Sequence, residues 1–114
     1  MSDCLFCKIA AKQLPSQKVY EDKYVYAFKD IHPVTPVHII VVPKVHIESV
    51  NDITDRNSKE VQKIFEVIPK IAKIAMVDKK GYRVITNVGD DAGQSVKHLH
   101  FHIIGGKRLG DKII

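Results

Sequence analysis

One segment near the C-terminal end alternates histidine with large apolar residues, and it constrains the fold more than any other feature. It reads His98-Leu99-His100-Phe101-His102-Ile103-Ile104. Successive side chains of a β-strand point to opposite faces, so the pattern predicts a strand with three imidazoles on one face and a buried apolar face on the other. A row of imidazoles makes a poor core. We therefore expect the histidines to share a chemical task; the alternative is a solvated strand face without a role.

Four further segments have the composition of strands. Lys18 to Glu21 and Tyr24 to Phe28 are β-rich and are separated by Asp22-Lys23, which predicts a hairpin. Val37 to Val42 is continuous, branched and apolar apart from His38, which predicts a buried central strand. Tyr82 to Val88 is the fourth segment, followed by a flexible turn over 89–93. Two prolines place 30–36 in a loop.

A long amphipathic helix is predicted between these strands. Its apolar residues recur at three- and four-residue steps: Val61, Ile64, Phe65, Ile68, Ile71, Ala72 and Ala75. Thr54 or Asp55 is expected to cap its start, Gly81 to follow its end, and Pro69 to kink it. Residues 4–12 form a short helix that Pro15 prevents from continuing.

The helices do not alternate with the strands, which argues against a doubly wound parallel sheet. We expect an α+β fold: an antiparallel sheet of about five strands with one long and one short helix. A chain of 114 residues fits one domain, spanning 1–114.

Composition narrows the class of protein. Hydrophobic residues make up 45% and charged residues 27%, as in ordinary globular proteins. The N-terminus lacks a signal peptide's basic start and apolar run, and no stretch approaches the roughly 18 apolar residues of a membrane span. We therefore expect a cytoplasmic protein without a membrane partner.

The net charge of +5 favours an anionic ligand. Lysine and arginine are spread along the chain rather than clustered, and aromatic residues are only 7% of the total. This distribution favours a mononucleotide over a polymer, and no specific nucleic acid is expected as a partner.

Cys4 and Cys7 form a Cys-x-x-Cys motif. A disulfide framework needs more cysteines and an oxidising compartment. A thioredoxin-type motif follows a strand within a βαβ unit, whereas this one opens the chain. Metal ligation is the best of the three interpretations.

These motifs, in this order, resemble the histidine triad family. His98-x-His100-x-His102 followed by two apolar residues is the signature of that family, and Gly93-Gln94-Ser95 matches its phosphate-side loop. The nucleotide-binding region is matched by Asp30-Ile31, Pro33, Pro36 and His38. Tyr20-Glu21-Asp22 and Val42-Pro43-Lys44 with His46 also resemble it, so the matches run from about Cys4 to Gly106.

The resemblance implies a homodimeric hydrolase that cleaves nucleoside phosphoramidates or other nucleotide conjugates at the α-phosphate. His100 would attack the phosphorus, forming a nucleotidyl-imidazole intermediate that water then cleaves. The catalytic set would also include His102, His98, His38 and Ser95. The dimer would form through the sheet, covering a strand edge.

The same resemblance implies a site for a purine nucleotide such as AMP or GMP. Asp30 would accept hydrogen bonds from the ribose hydroxyls, and Phe6, Phe28 and Ile31 would wall the base. The phosphate oxygens would be held by His102 and the Gly93-Gln94-Ser95 loop, with Asn87 pointing at the same region. The alternatives are plain: Phe28 and Ile31 are apolar enough to be core residues, and Asp30 suits a turn.

The cysteine pair supplies half of a tetrahedral zinc site. The chain has no second pair, so histidines would complete it, and some branches of the family use a Cys-Cys-His-His set. We therefore expect a structural zinc ion on Cys4, Cys7, His46 and His98. The alternatives are that the cysteines are small packing residues, or that His98 serves only the active site.

Two other functions compete with hydrolysis at His100. One is a regulatory module that binds a nucleotide with negligible turnover. The other is a catalytic metal centre on the alternating histidines, which would need an open coordination position at His100. The chain also lacks tryptophan and the longer tail of the nucleoside phosphoramidase branch, so the leaving-group side departs from that branch.

Overall fold

A five-stranded antiparallel sheet carries two helices in the computed structural model, which describes residues 3–114. The α+β prediction is confirmed. Met1 and Ser2, the first residues of the predicted domain, lie outside this range. The sheet order is β1-β2-β3-β5-β4, and every neighbouring pair is antiparallel. In chain order the elements are α1 (Leu5–Ala10), β1 (Lys18–Glu21), β2 (Val25–Lys29), β3 (Val37–Pro43), α2 (Ser58–Ile74), β4 (Tyr82–Ile85) and β5 (Phe101–Gly105).

The two faces of the sheet carry separate apolar clusters. One face packs against α2 and includes Leu99, Phe101 and Ile103, as the alternation predicts. The opposite face packs against α1, through a cluster of Phe6, Ile9, Ala10, Tyr26, Phe28, Ile40 and Val42. The Phe6 ring contacts His98 and His100, with centroids 6.2 and 4.9 Å away, so these histidines share the α1 side.

The histidine strand is shorter than predicted, because β5 begins at Phe101 and not at His98. Its pairing with β3 ends at Val41 and Phe101. Pro43 has no N–H with which to continue the ladder. Its carbonyl instead accepts the Nε2–H of His98 at 2.9 Å, so a side-chain hydrogen bond replaces a strand hydrogen bond.

The prediction that β4 extends to Val88 is wrong, since the strand ends at Ile85, opposite His102. The backbone pairing of β4 with β5 stops at that point. Thr86 uses its hydroxyl instead, donating to the His100 carbonyl at 2.7 Å. The predicted turn over 89–93 contains a 3-10 turn, Asp90–Ala92.

Helix α2 begins after the predicted caps. Thr54 and Asp55 lie in a separate turn, in which the Thr54 N–H donates to Asn57 Oδ1 at 2.7 Å. The helix itself starts at Ser58. It ends at Ile74, well before Gly81, because Met76 takes the left-handed conformation with φ of 63° that closes a Schellman motif. Pro69 lies within the helix, and the kink stays a prediction.

Phe65 is the exception on the predicted buried face, since its side chain is 52% exposed. It covers the edge of the core by packing edge-on against Phe101, with centroids 5.3 Å apart. Val67, which the pattern omits, is buried. Among the described residues no helix has the length and apolar character needed to cross a membrane.

Candidate active site

The His100 ring is held in one tautomer by its own strand. Its Nδ1–H donates to the His98 carbonyl at 2.7 Å, which leaves the lone pair on Nε2. The residue is only 6% exposed, and burial lowers the pKa of its imidazole below the ordinary value. At neutral pH His100 is therefore an uncharged imidazole with a defined nucleophilic nitrogen.

A chain of hydrogen bonds fixes the tautomers of His38 and His102. The Val34 N–H donates to His38 Nδ1 at 3.1 Å, so the His38 proton sits on Nε2. That Nε2–H donates to His102 Nδ1 at 2.8 Å. His102 then carries its own proton on Nε2. Burial, followed by its histidine neighbours, lowers the pKa of His102 to about 4, so this ring is a neutral donor.

The rings of His100 and His102 lie side by side. The centroids of His100 and His102 are 5.1 Å apart. One ring offers a lone pair and the other an N–H, which is the pairing needed to attack a phosphorus atom while holding one of its oxygens.

Asp30 lies at the end of this hydrogen-bond chain. Its Oδ2 is 3.3 Å from His38 Nε2, and its Oδ1 accepts the His32 N–H at 2.8 Å. The carboxylate thus closes the turn after β2 and faces the histidines. Its oxygens retain lone pairs that can accept from a further donor. The contact with a ribose stays a prediction.

The loop predicted to lie beside the phosphate is braced by Gln94, whose side chain is buried. Its Nε2 donates to the carbonyls of Glu48 and Val96, and its Oε1 accepts the Gly89 N–H. The backbone N–H groups of Gly93 and Gln94 donate within the turn as well. The loop therefore presents Ser95, which is exposed and has no hydrogen-bond partner among the described residues.

The residues predicted to wall a base differ in exposure. Phe6 and Phe28 are buried and pack edge-on at 5.6 Å, with Phe6 also against His100. Ile31 is 84% exposed on the loop next to Asp30, where it contributes nothing to the core. Asn87 is half-buried after β4 and has no hydrogen-bond partner in the described part of the chain. Their contacts with a nucleotide stay predictions.

Three supporting groups were not predicted. Pro43 and Val34 act through backbone atoms, which have no signature in a sequence. Thr86 is a polar residue at a strand end and signals nothing by itself, yet it anchors the His100 carbonyl. His98 is predicted to be catalytic; its ring nitrogens contact Pro43, the two cysteines and His46, and its carbonyl accepts the His100 Nδ1–H.

The His98 ring belongs to a cluster with Cys4, Cys7 and His46. Because His98 Nε2–H is donated to Pro43, its Nδ1 lone pair faces the other three residues. His98 Nδ1 lies 3.2 Å from Cys4 Sγ, 3.4 Å from Cys7 Sγ and 3.2 Å from His46 Nδ1. Zinc bond lengths give a tetrahedron with edges of about 3.3 to 3.8 Å, so the donor atoms fit that geometry.

The cysteines themselves support ligation over redox chemistry. Both are free thiols. Burial, with the Cys4 sulfur alongside, raises the pKa of Cys7 to about 11, whereas reactive cysteines have a lowered pKa. A bound cation would supply the charge that makes these sulfurs thiolates.

Asp30, His38 and His102 form a second group of potential metal ligands. The 2.8 Å between His38 Nε2 and His102 Nδ1 is a hydrogen-bond distance, shorter than the edge of a zinc tetrahedron, which is about 3.3 Å for two nitrogens. His98 and His100 do not share a coordination position either, since their ring nitrogens face different partners. The arrangement favours a hydrogen-bond relay over a catalytic metal.

Two curated proteins are similar to this chain over most of its length. The purine nucleoside phosphoramidase of Escherichia coli is 38% identical over 108 residues, which cover 95% of this chain and 91% of the relative. An HIT-like protein of Rickettsia prowazekii is 50% identical over 106 residues, covering 92% and 88%.

Solved structures of similar proteins have the same fold. A histidine triad protein of Clostridium difficile superposes with a TM-score of 0.94 at 54% identity, covering 98% of this chain and 97% of that one. A HIT family hydrolase of Clostridium thermocellum gives 0.97 at 45% identity, covering 100% and 99%. The HIT domain family matches residues 11–109, which contain His100, His102 and the relay that fixes their tautomers. The chain therefore belongs to the HIT domain family.

Proposed function

We propose that this protein hydrolyses conjugates of a purine nucleotide, such as AMP or GMP, in which an amine or another leaving group is attached to the α-phosphate. The observation that carries the proposal is the unprotonated Nε2 of His100, held beside the Nε2–H of His102. The phosphoramidase name of the Escherichia coli relative supports the same substrate class.

In the first step the His100 Nε2 lone pair forms a bond to the α-phosphorus, and the bond from phosphorus to the leaving amine breaks. The amine takes up a proton as it departs. Ser95, which is exposed, is the residue we propose to relay that proton from water. The His102 N–H stabilises the negative charge on a phosphate oxygen during the attack.

In the second step water attacks the nucleotidyl-histidine, the bond from phosphorus to His100 breaks, and the water proton replaces the one taken by the amine. The products are the nucleoside monophosphate and the free amine. The Nδ1 hydrogen bond to the His98 carbonyl keeps His100 in the same tautomer for the next cycle.

The remaining predicted residues have binding roles in this proposal. The base would lie between the Phe6–Phe28 pair and the exposed Ile31 side chain, and Asp30 would accept from the ribose hydroxyls. Asn87 and the loop containing Gly93 and Gln94 would approach the phosphate from the β4 side.

A zinc ion held by Cys4, Cys7, His46 and His98 would have a structural role. When bound, the ion would supply the cross-link that fixes the first turn of α1 to the segments that follow β3 and precede β5. Free thiols of this kind fit a reducing compartment, and we propose the cytoplasm.

The pH dependence follows from the lowered pKa values. A nucleophilic lone pair on His100 is lost when the ring is protonated, and burial holds its pKa below the usual value of about 6.5. We expect kcat/KM to be level above this pH and to fall as the pH drops below it. Protonation of His102 on Nδ1, with a pKa of about 4, keeps its Nε2–H but removes the acceptor for the His38 hydrogen bond, so any disruption of the relay should come only at still lower pH. An inflection above about 6.5 for the group that must be unprotonated would contradict the assignment.

Assembly provides a separate prediction. β4 pairs with β5 on one side only, and its Val84 side chain is 37% exposed. An open edge of this kind is commonly covered by a second copy. We propose a homodimer formed through the sheet. Light scattering should give about twice the chain mass of 12.9 kDa, and a monomer at micromolar concentration would contradict the proposal.

A further inference from the structure

A cluster of ion pairs lies beyond the end of α1, and its centre is the carboxylate of Glu21. Glu21 Oε2 is 2.7 Å from Lys44 Nζ, and Oε1 is 3.0 Å from Lys12 Nζ and 3.2 Å from Lys18 Nζ. Every other carboxylate that forms an ion pair among the described residues has a single basic partner. The Lys44 ammonium, followed by that of Lys12, holds the pKa of Glu21 at about 2, so the cluster is ionised throughout the neutral range.

The Glu21 cluster joins two motifs whose side chains have no role in the proposed reaction. Tyr20-Glu21-Asp22 lies at the end of β1, and Val42-Pro43-Lys44 lies at the end of β3. The Lys44 N–H donates to the Tyr24 carbonyl at 2.8 Å, which fixes the backbone from which its side chain extends. The Glu21 side chain is only 15% exposed, and three cations share it, so the cluster is a network and not an isolated surface pair.

Lys12 is held in the cluster by an uncommon backbone conformation. It follows the last turn of α1 with φ of 64°, in the left-handed region that glycine or asparagine usually occupies at this position. The Lys12 N–H donates to the Ile9 carbonyl and the Gln13 N–H to the Lys8 carbonyl, which completes a Schellman motif. A lysine accepts backbone strain here, and its side chain fastens the end of α1 to β1.

The opposite end of α1 carries the two cysteines. The Cys4 sulfur accepts the Cys7 N–H and caps the helix, and Lys12 lies roughly 12 Å further along at 1.5 Å per residue. A helix of six residues is unstable by itself in water, so its position depends on its contacts with the sheet. The Glu21 cluster is one of those contacts.

The same carboxylate also reaches the segment after β3. Lys44 follows Pro43, whose carbonyl orients the His98 ring through the Nε2–H hydrogen bond. His46 follows Lys44 by two residues. By binding the end of α1 and Lys44 together, Glu21 ties the helix that carries the cysteines to the segment that carries His46 and orients His98.

We propose that Glu21 is a positioning residue for metal binding at the cysteine cluster, an inference that rests on the structural zinc ion proposed above. The cysteine cluster comprises Cys4, Cys7, His46 and His98, whose donor atoms lie within 4.8 Å of one another. A site binds its metal more tightly when surrounding contacts fix the donor atoms. Without the Glu21 charge, the end of α1 and the Lys44 side chain lose their common partner, so the cysteines and His46 are less firmly held together.

The test measures zinc affinity in Glu21→Gln, which keeps the size of the side chain and removes its charge. Purified zinc-loaded protein is titrated with a chromophoric chelator well below the unfolding temperature of each variant. We expect about fivefold weaker zinc binding, less than the loss of about 10- to 100-fold for direct partners of metal ligands, because Glu21 acts one contact further away. Co²⁺-substituted protein should show correspondingly weaker thiolate absorption at equal added Co²⁺. The matched control is Glu66→Gln, which removes a carboxylate paired with Lys63 on α2 and should stay within about twofold of the parent.

Lys44 supplies a conservative comparison. Lys44→Gln should weaken zinc binding as Glu21→Gln does, whereas Lys44→Arg keeps a cation beside Glu21 and should stay within about twofold of the parent. The double variant Glu21→Gln, Lys44→Gln should bind little more weakly than either single variant, because both changes remove the same ion pair.

The inference is overturned if Glu21→Gln binds zinc as tightly as the parent, or if Glu66→Gln or Lys44→Arg loses as much affinity as Glu21→Gln. A parent protein that binds neither Zn²⁺ nor Co²⁺ at the cysteines overturns both this inference and the structural zinc site. These titrations measure no hydrolysis, so a failure of the reaction proposed at His100 would be recognised separately.

Discussion

Replacing His100 with alanine is expected to abolish hydrolysis of an adenosine phosphoramidate while leaving AMP binding within about tenfold, or roughly 1.4 kcal/mol. The substitution removes the Nε2 that forms the bond to phosphorus, so turnover should fall by at least about 10⁴-fold. Binding is shared among the base, ribose and phosphate contacts, most of which remain. Single-turnover kinetics and calorimetry with AMP measure the two effects separately.

Two further variants show whether the loss of activity reflects a folding defect. His100 is buried against Phe6, so alanine leaves a small cavity. His100→Asn fills more of that space and supplies an amide, but no nucleophilic lone pair, and should be equally inactive. His32→Ala removes an exposed histidine outside the relay and should retain the parent rate. Substantial turnover in either His100 variant would exclude the covalent mechanism.

The second large effect concerns the cysteine cluster. Protein purified without chelator should contain about one zinc ion per chain, and the Cys4→Ser, Cys7→Ser double variant should contain none. We also expect hydrolysis to fall by on the order of tenfold, as for other groups that orient a site from outside it. Two contacts transmit the loss: the His98 carbonyl holds His100 Nδ1–H, and Phe6, between the cysteines, packs on the His100 ring.

Histidine variants provide the matched comparison. His46 is an exposed member of the cluster, so His46→Ala should lower the zinc content while leaving both cysteines in place. His32→Ala, another exposed histidine, should keep a full complement. A parent protein that contains no metal after growth in zinc-sufficient medium would show that the cysteines are packing residues.

Side-chain periodicity predicted the faces of the sheet correctly but not the ends of its strands. Alternation placed Leu99, Phe101 and Ile103 in the core and His100 and His102 on the opposite side, because this pattern is local. The end of β5 depends on Pro43, a residue of a different strand that lacks the N–H needed there. The end of a strand thus depends on which strands are its neighbours. The order β3-β5-β4 cannot be predicted from the sequence of any single segment.

The sequence predicted which residues form the site, but not which ring nitrogen of each histidine carries the proton. The resemblance named His38, His100 and His102, and the structure shows why each ring carries its proton on a particular nitrogen. That assignment rests on the Val34 N–H and the His98 carbonyl, backbone groups that every residue type other than proline would supply.

The central claim is that His100 Nε2 becomes covalently bonded to the nucleotide during turnover. The most direct test mixes the protein with an adenosine phosphoramidate, quenches within one turnover, and determines the mass of the intact chain and of its peptides. We predict a population carrying one adenylyl group on the peptide that contains His100, formed and lost at rates consistent with turnover and missing in His100→Asn. Full hydrolytic activity with no adenylylated protein at any quench time would contradict the account and favour direct attack by water.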